Sequence, residues 1–251
     1  MSEIRLKLHP RQSLAFLSKA TEILYGGAAG GGKSHLMRVV AIMLCMAVTG
    51  LQVYIFRRVS DDLRKNHLEG SSGLRAMLAS LTDSGHCKFN DSKGIFEFWN
   101  GSKIYLCHCQ HEKDMYKYQG AGIHVLLMDG LILFSAAIYR FLRGRVRLGG
   151  LYVPSEYNHK LPLVLCGSNP GNIGHVWVKK MFVDYAPPME ITRTPAAEGG
   201  MLRQYIPAKL ADNPTLTEND PDYEAPLPGL ANPALLPAMK TGDRDITNHA
   251  S

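Results

Sequence analysis

Gly27, Gly32, Lys33 and Ser34 fit the spacing G-x-x-x-x-G-K-[ST] of a nucleotide-binding P-loop. Glycines let a backbone turn tightly and bring its N–H groups to phosphate oxygens with no Cβ in the way. A helix starting near Lys33 adds its unpaired N–H groups and the positive end of its dipole. Lys33 then supplies a mobile charge for β- and γ-phosphates, and the Ser34 hydroxyl is placed to bind Mg²⁺. The segment Gly27, Ala28, Ala29, Gly30, Gly31, Gly32, Lys33, Ser34 and His35 is therefore the expected nucleotide-binding loop, for a nucleoside triphosphate with Mg²⁺.

A second chemical group is Asp129, which closes the near-continuous apolar run from Ile123 to Met128. Such a run predicts a strand buried on both faces, and an acid at its C-terminal end stands where open α/β sheets place ligands. Asp129 is expected to complete the Mg²⁺ site in the Walker B position; the competing reading is a helix N-cap. P-loop ATPases that act on polymers usually carry a Glu next, to orient the attacking water. Here Gly130 follows, and no acid occurs between Asp129 and Glu156. Nucleotide binding is expected to survive this change better than hydrolysis.

Three further groups have two readings each. Gln12 offers the donor and acceptor that an adenine edge requires, or is a solvated glutamine. Ser168 and Asn169 lie in Gly167-Ser-Asn-Pro-Gly171 after another apolar strand, Leu161 to Cys166, and either sense the γ-phosphate or simply build a turn. Arg140, Arg143, Arg145 and Arg147 have no acid among them; guanidinium binds phosphate oxygens bidentately, so Arg143, Arg145 and Arg147 are candidates for DNA or γ-phosphate contact rather than a solvated helix face.

The elements needed to position these groups are legible. His9 to Lys19 reads as an amphipathic helix, Ile23 to Tyr25 as the strand before the loop, and Leu51 to Phe56 as a second strand ending in Arg57-Arg58. Asp61 to Leu81 reads as helical with a break at Gly70 to Gly73. Gly94 to Trp99 and Ser102 to Cys107 alternate around Asn100-Gly101, a strong hairpin signal. Cys107-His-Cys-Gln-His111 falls on that alternation, which sends Cys107 and Cys109 to one face and His108 to the other, so strand packing is preferred to a zinc site. Beyond Pro187, Pro, Gly, Asn and Asp accumulate, with short helical pieces at Pro221 to Leu230 and Pro233 to Thr241.

The chain's 251 residues suffice for a sizeable core. Its most apolar helix, Met37 to Val48, is too short for a membrane span and has Arg38 just inside; no signal-peptide core precedes it. Five cysteines, an odd number, fit reduced thiols, and a cytoplasmic protein is expected. The net charge of +6 divides into −5 over Asp212 to Asp245 and +11 elsewhere, compatible with a basic body that binds a polyanion.

Gln12, Gly27 to Ser34, Phe56-Arg57-Arg58, Met128-Asp129, Arg143-Gly-Arg-Val-Arg147 and Gly167-Ser-Asn-Pro170 occur in an order that resembles the ATPase half of the large terminase subunit of tailed bacteriophages. The similarity continues through Ile206 to Pro214 and Gly242 to Ile246. It implies an α/β P-loop NTPase fold, ASCE or RecA-like, with a mainly parallel central sheet, helices on both faces, an added β-hairpin and a small loop-rich C-terminal subdomain. Residues 1–185 are expected to form the ATPase domain and 186–251 a linker subdomain and tail.

The resemblance further implies a DNA-packaging motor. Its partners would be double-stranded DNA, a portal protein and a small terminase subunit, in a homo-oligomeric ring in the bacterial host cytoplasm. Lys33, Ser34 and Asp129 would hold ATP and Mg²⁺, Gln12 the adenine, and Ser168 with Asn169 the coupling motif. Arg58 is the candidate catalytic finger, with Arg143 to Arg147 as the alternative. Two departures are Gly130 in place of the Walker B Glu and the lack of the family's C-terminal nuclease; a third change is Arg244, where relatives tend to carry an aromatic. The family's nuclease would begin near Ser251, so a nuclease-less, hydrolysis-impaired form of prophage origin is expected.

Overall fold

Side chains of the central strands alternate between two separate apolar clusters, and that sorting sets three layers. The computed structural model describes residues 2–27, 32–169, 174–208 and 245–248. Among these, nine strands form one sheet in the order β4 (Cys87–Asn90), β5 (Ile95–Phe98), β6 (Lys103–His108), β3 (Gln52–Arg57), β7 (Val125–Asp129), β8 (Leu163–Ser168), β2 (Glu22–Gly27), β10 (Leu202–Ala208) and β9 (Thr192–Arg193). The six from β6 to β10 are mutually parallel; β4, β5 and β9 are antiparallel additions at the two edges. β1 (Ser2–Arg5) pairs antiparallel with β11 (Asp245–Asn248) away from this sheet.

Ile23, Tyr25, Val125, Leu127, Leu163 and Leu165 enter one cluster with α1 (Pro10–Leu17) and α2 (Lys33–Ala47). Their neighbours Leu24, Leu126, Met128, Val164 and Cys166 enter the other. That second face is covered by α6 (Ala136–Arg143) and by α7 (His175–Val178) with the turn after it. Every residue of β7 and β8 is buried, as their unbroken apolar runs require.

The sequence readings map onto this frame with three instructive differences. The hairpin forms as expected, with Ile95 opposite Tyr105 and Gly101 at φ 78° in the turn, but a third strand, β4, extends it. The segment Asp61 to Leu81 is not one helix: α3 (Ser60–Leu63) runs into a π-turn at Arg64–Leu68, followed by α4 (Leu74–Met77) and α5 (Ala79–Asp83). The segment after residue 185, expected as a loop-rich subdomain, contributes β9 and β10 to the main sheet, and β10 runs parallel to the loop strand β2. Pro207 disguises β10, since proline interrupts a ladder; among the described residues β9 pairs only with Leu202 and Arg203, so Pro207 breaks no pairing on that side. The helices expected at Pro221 to Leu230 and Pro233 to Thr241 lie outside the described residues.

Candidate nucleotide site

The C-terminal ends of β2, β8 and β7 lie side by side, in that order, and bring the loop, Asn169 and Asp129 to one edge of the sheet. α2 starts at Lys33, directly after the loop. Among the described residues it has no side-chain cap and no acid in its first turn, so the positive end of its dipole faces the loop without a carboxylate of its own. The helix is held instead by burial of residues such as Val39, Ile42 and Met43, at roughly 1.5–3 kcal/mol for each large side chain. Ala28, Ala29, Gly30 and Gly31 lie outside the described residues.

Asp129 is the centre of the site. It is 3% exposed, and its Oδ2 accepts the Ser34 hydroxyl at 2.7 Å, which joins the two residues expected to bind Mg²⁺. The same oxygen lies 2.7 Å from His67 Nε2, and Arg57 Nη1 stands 3.4 Å from Oδ1. Burial works against the charge of Asp129, but the His67 hydrogen bond, the positive neighbours and the Ser34 hydroxyl outweigh it and hold the carboxyl well below the usual range. An ionised carboxylate beside a serine hydroxyl is a donor set that fits Mg²⁺, with phosphate oxygens and water supplying the rest. No cluster of three His, Cys, Asp or Glu side chains suited to a metal occurs among the described residues, so such an ion would depend on the nucleotide for its remaining ligands.

Lys33 is half-buried, and burial lowers its pKa while Asp129 pulls it back up. Gly26 and Gly167 leave its stem room: a Cβ on either would lie 3.1–3.2 Å from Lys33 carbons. Asn169 is exposed at the end of β8, between the loop strand and Asp129. Ser168 is buried, and its hydroxyl donates to the Asn169 carbonyl at 3.3 Å.

Other expected residues are placed differently. Gln12 is buried, with its Oε1 accepting from His9 N at 3.0 Å and its Nε2 donating to Gly32 O at 2.8 Å, so the carboxamide braces the loop. Gly32, at φ 76°, makes this possible, because a Cβ there would stand 2.4 Å from Gln12 Nε2. His35 turns toward Lys7, whose carbonyl lies 2.7 Å from Nε2. Arg58 is half-buried with no ion pair among the described residues, whereas its neighbour Arg57 reaches Asp129.

The arginine cluster requires a correction. Arg143 is buried, pairing with Glu22 at 3.1 Å and lying over the Tyr139 ring, so it offers no free surface to DNA. Glu22 opens β2, and the phosphate end lies five positions on, about 16 Å at strand rise. Arg143 therefore cannot reach a γ-phosphate bound in its own chain. Arg145 is half-buried and donates to Gln119 O at 2.7 Å; Arg147 alone of the three is exposed. Sequence reasoning missed His67, Arg38 and the role of Arg57. The visible signal was Arg38 itself, a charge inside an apolar helix that demands a buried partner.

Fold and site together define a P-loop NTPase architecture, with the loop strand and the Asp129 strand separated by β8. Within that class the chain is similar in fold to large terminases. The large terminase of a thermophilic bacteriophage, in complex with ADP, matches with a TM-score of 0.59 at 14% identity, over 84% of this chain and 47% of that one. The same protein in complex with ATP-gamma-S gives 0.57 at 14% identity over the same shares. The large terminase ATPase domain of a Thermus phage gives 0.51 at 14% identity, over 80% of this chain and 81% of that one. The chain thus spans about half the length of the first of these proteins. No family model matches the sequence, and no curated protein matches it. No described helix is long and apolar enough to cross a membrane.

Proposed function

We propose that this chain is the ATPase part of a DNA-packaging motor of the large-terminase kind, binding Mg-ATP and double-stranded DNA. The observation that carries the reading is the 2.7 Å hydrogen bond between Ser34 and Asp129 at the phosphate end of a parallel sheet. Lys33 would neutralise β- and γ-phosphates, Ser34 and Asp129 would hold Mg²⁺, and Asn169 would report the γ-phosphate to the segment that follows. Arg145 and Arg147 are the remaining candidates for DNA phosphates. Portal protein, a small terminase subunit and further copies of the chain are the partners this role calls for, in the host cytoplasm.

A second reading, an ATP-binding assembly protein without turnover, is favoured by one observation. Gly130 adopts φ 73°, a conformation that L side chains rarely adopt, and a Cβ there would lie 3.0 Å from both Arg57 Nη1 and Leu133 Cδ1, so the position expected to hold the water-orienting carboxylate is shaped for glycine. Loss of such a group slows a reaction by about 10²–10⁴-fold. The test is ATP affinity and DNA-stimulated hydrolysis of the purified chain beside Lys33→Ala. Binding that Lys33→Ala abolishes, with turnover near the detection limit, is the expected result. An original chain that binds no ATP sinks both readings.

A further inference from the structure

We propose that His67 is a positioning residue that fixes the Asp129 carboxylate for a cation, with Arg38 setting its tautomer. His67 is fully buried in the π-turn at Arg64–Leu68, 62 residues from Asp129 in sequence, and both ring nitrogens are engaged. Nδ1 lies 3.3 Å from Arg38 Nη1, and that same Arg38 nitrogen also donates to the Asn66 carbonyl. A guanidinium has no acceptor, so Nδ1 must carry the lone pair and Nε2 the proton. Nε2–H then donates to Asp129 Oδ2 at 2.7 Å. The arrangement supplies a fixed donor in the dry interior, on an element independent of the loop.

Its purpose follows from what surrounds Asp129. Among the described residues three donors reach the carboxylate: Ser34 and His67 at Oδ2, and Arg57 at Oδ1. Ser34 is the one that a cation would also claim. Arg57 is the longest contact and is partly exposed, whereas His67 is wholly enclosed. His67 is therefore the support that keeps one carboxylate orientation whether or not the serine is engaged. Outer-shell partners of this kind contribute about 10- to 100-fold to metal affinity.

The metal side of this inference rests on the proposed nucleotide site; its hydrogen-bond side does not, and the test separates the two. Imidazole nitrogen–proton NMR of the full chain, free of metal and nucleotide, is expected to show an Nε2-protonated His67 with a slowly exchanging downfield proton that Asp129→Ala abolishes. An Nδ1-protonated ring, or a proton indifferent to Asp129→Ala, overturns the proposal. ATP affinity is then compared with and without Mg²⁺. His67→Leu is expected to lose about tenfold of the Mg²⁺-dependent gain while keeping its metal-free affinity. His67→Gln, whose amide N–H can replace Nε2–H, is expected to recover most of it. Equal losses with and without Mg²⁺, or no loss, overturn the positioning role. If His67→Leu does not fold, His67→Asn answers the same question, because it keeps an acceptor for Arg38 but is too short to reach Asp129. A wild-type chain that shows the NMR signature yet binds no ATP overturns the nucleotide reading and supports the fixed hydrogen bond.

Discussion

Asp129 and Glu22 are both carboxylates buried on central strands, and they lie at opposite ends of the sheet. Glu22 is enclosed by two fixed charges, Arg203 Nε at 2.7 Å and Arg143 Nη1 at 3.1 Å, and by the Tyr139 hydroxyl at 2.5 Å. Burial and the neighbouring Glu22 charge keep the Tyr139 phenol protonated, so it remains a donor. Arg203 is further packed against the Phe182 and Tyr185 rings. Asp129 has one guanidinium, at 3.4 Å, and two donors that carry no fixed charge, a hydroxyl and an imidazole. A carboxylate enclosed by two arginines can only hold structure. One held by groups that can exchange partners, beside a helix N-terminus, can accept a cation.

Removing each carboxylate should therefore do opposite things. Glu22→Ala strands Arg143 and Arg203 in the interior, and breaking a buried pair in this way costs about 3–5 kcal/mol. The expected result is a large drop in denaturant midpoint, with Mg-ATP affinity intact in whatever fraction stays folded. Asp129→Asn should lower stability by less, yet remove about 2 kcal/mol of Mg²⁺-dependent ATP affinity, roughly 30-fold. Equal stability losses in the two variants would mean that Asp129 is as structural as Glu22, and the contrast between the two ends would collapse.

Lys160 sharpens the comparison, because it is a buried charge with no carboxylate at ion-pair distance among the described residues. Its ammonium donates only to carbonyls at the end of α1, Ser18 O at 3.2 Å and Ala15 O at 3.5 Å. Burial lowers its pKa to about 7. Below that value the folded and unfolded chains both hold the proton, and the full cost of burying the charge applies. Between about 7 and the ordinary lysine value near 10.4 only the unfolded chain holds it, so stability rises with pH, at up to about 1.4 kcal/mol per unit. A gain of about 1–2 kcal/mol from pH 7 to 9, absent in Lys160→Met, is expected in denaturant titrations. A flat profile in the original chain would show that Lys160 is solvated or paired as Glu22 is.

How much of this was readable in advance depended on whether a contact is local. The loop, Asp129 and the hairpin carry their signals within a few residues, as spacing, as an apolar run or as Asn100-Gly101. The His67–Asp129 bond joins residues 62 apart, and Arg203–Glu22 joins residues 181 apart; neither leaves a periodic trace. Arg143 misled for the same reason. Its lack of nearby acids in sequence suggested a free cation, while its acids, Glu22 and Glu198, arrive from β2 and from beyond α7. Arg38 and Glu22, charged residues inside apolar patterns, were the available hints that distant partners existed.

Gly130 gives the smallest expected effect and the sharpest question about the Asp129 end. Its φ of 73° is a left-handed conformation that costs an L-residue about 1 kcal/mol, so Gly130→Ala should lower stability by about that amount. The backbone at this position is thus suited to glycine and not to the glutamate that the family pattern implies. In Gly130→Glu the new carboxylate would arise 3.0 Å from Arg57 Nη1 at its Cβ and draw that guanidinium away from Asp129. The expected outcome is the same stability loss with no recovery of ATP turnover, read by steady-state hydrolysis with DNA present. Turnover in Gly130→Glu well above the original chain would show that the turn after β7 rearranges when nucleotide binds. In that case Arg57 is a movable partner of Asp129, and the exchangeable character of this end of the sheet extends to the guanidinium that touches the carboxylate.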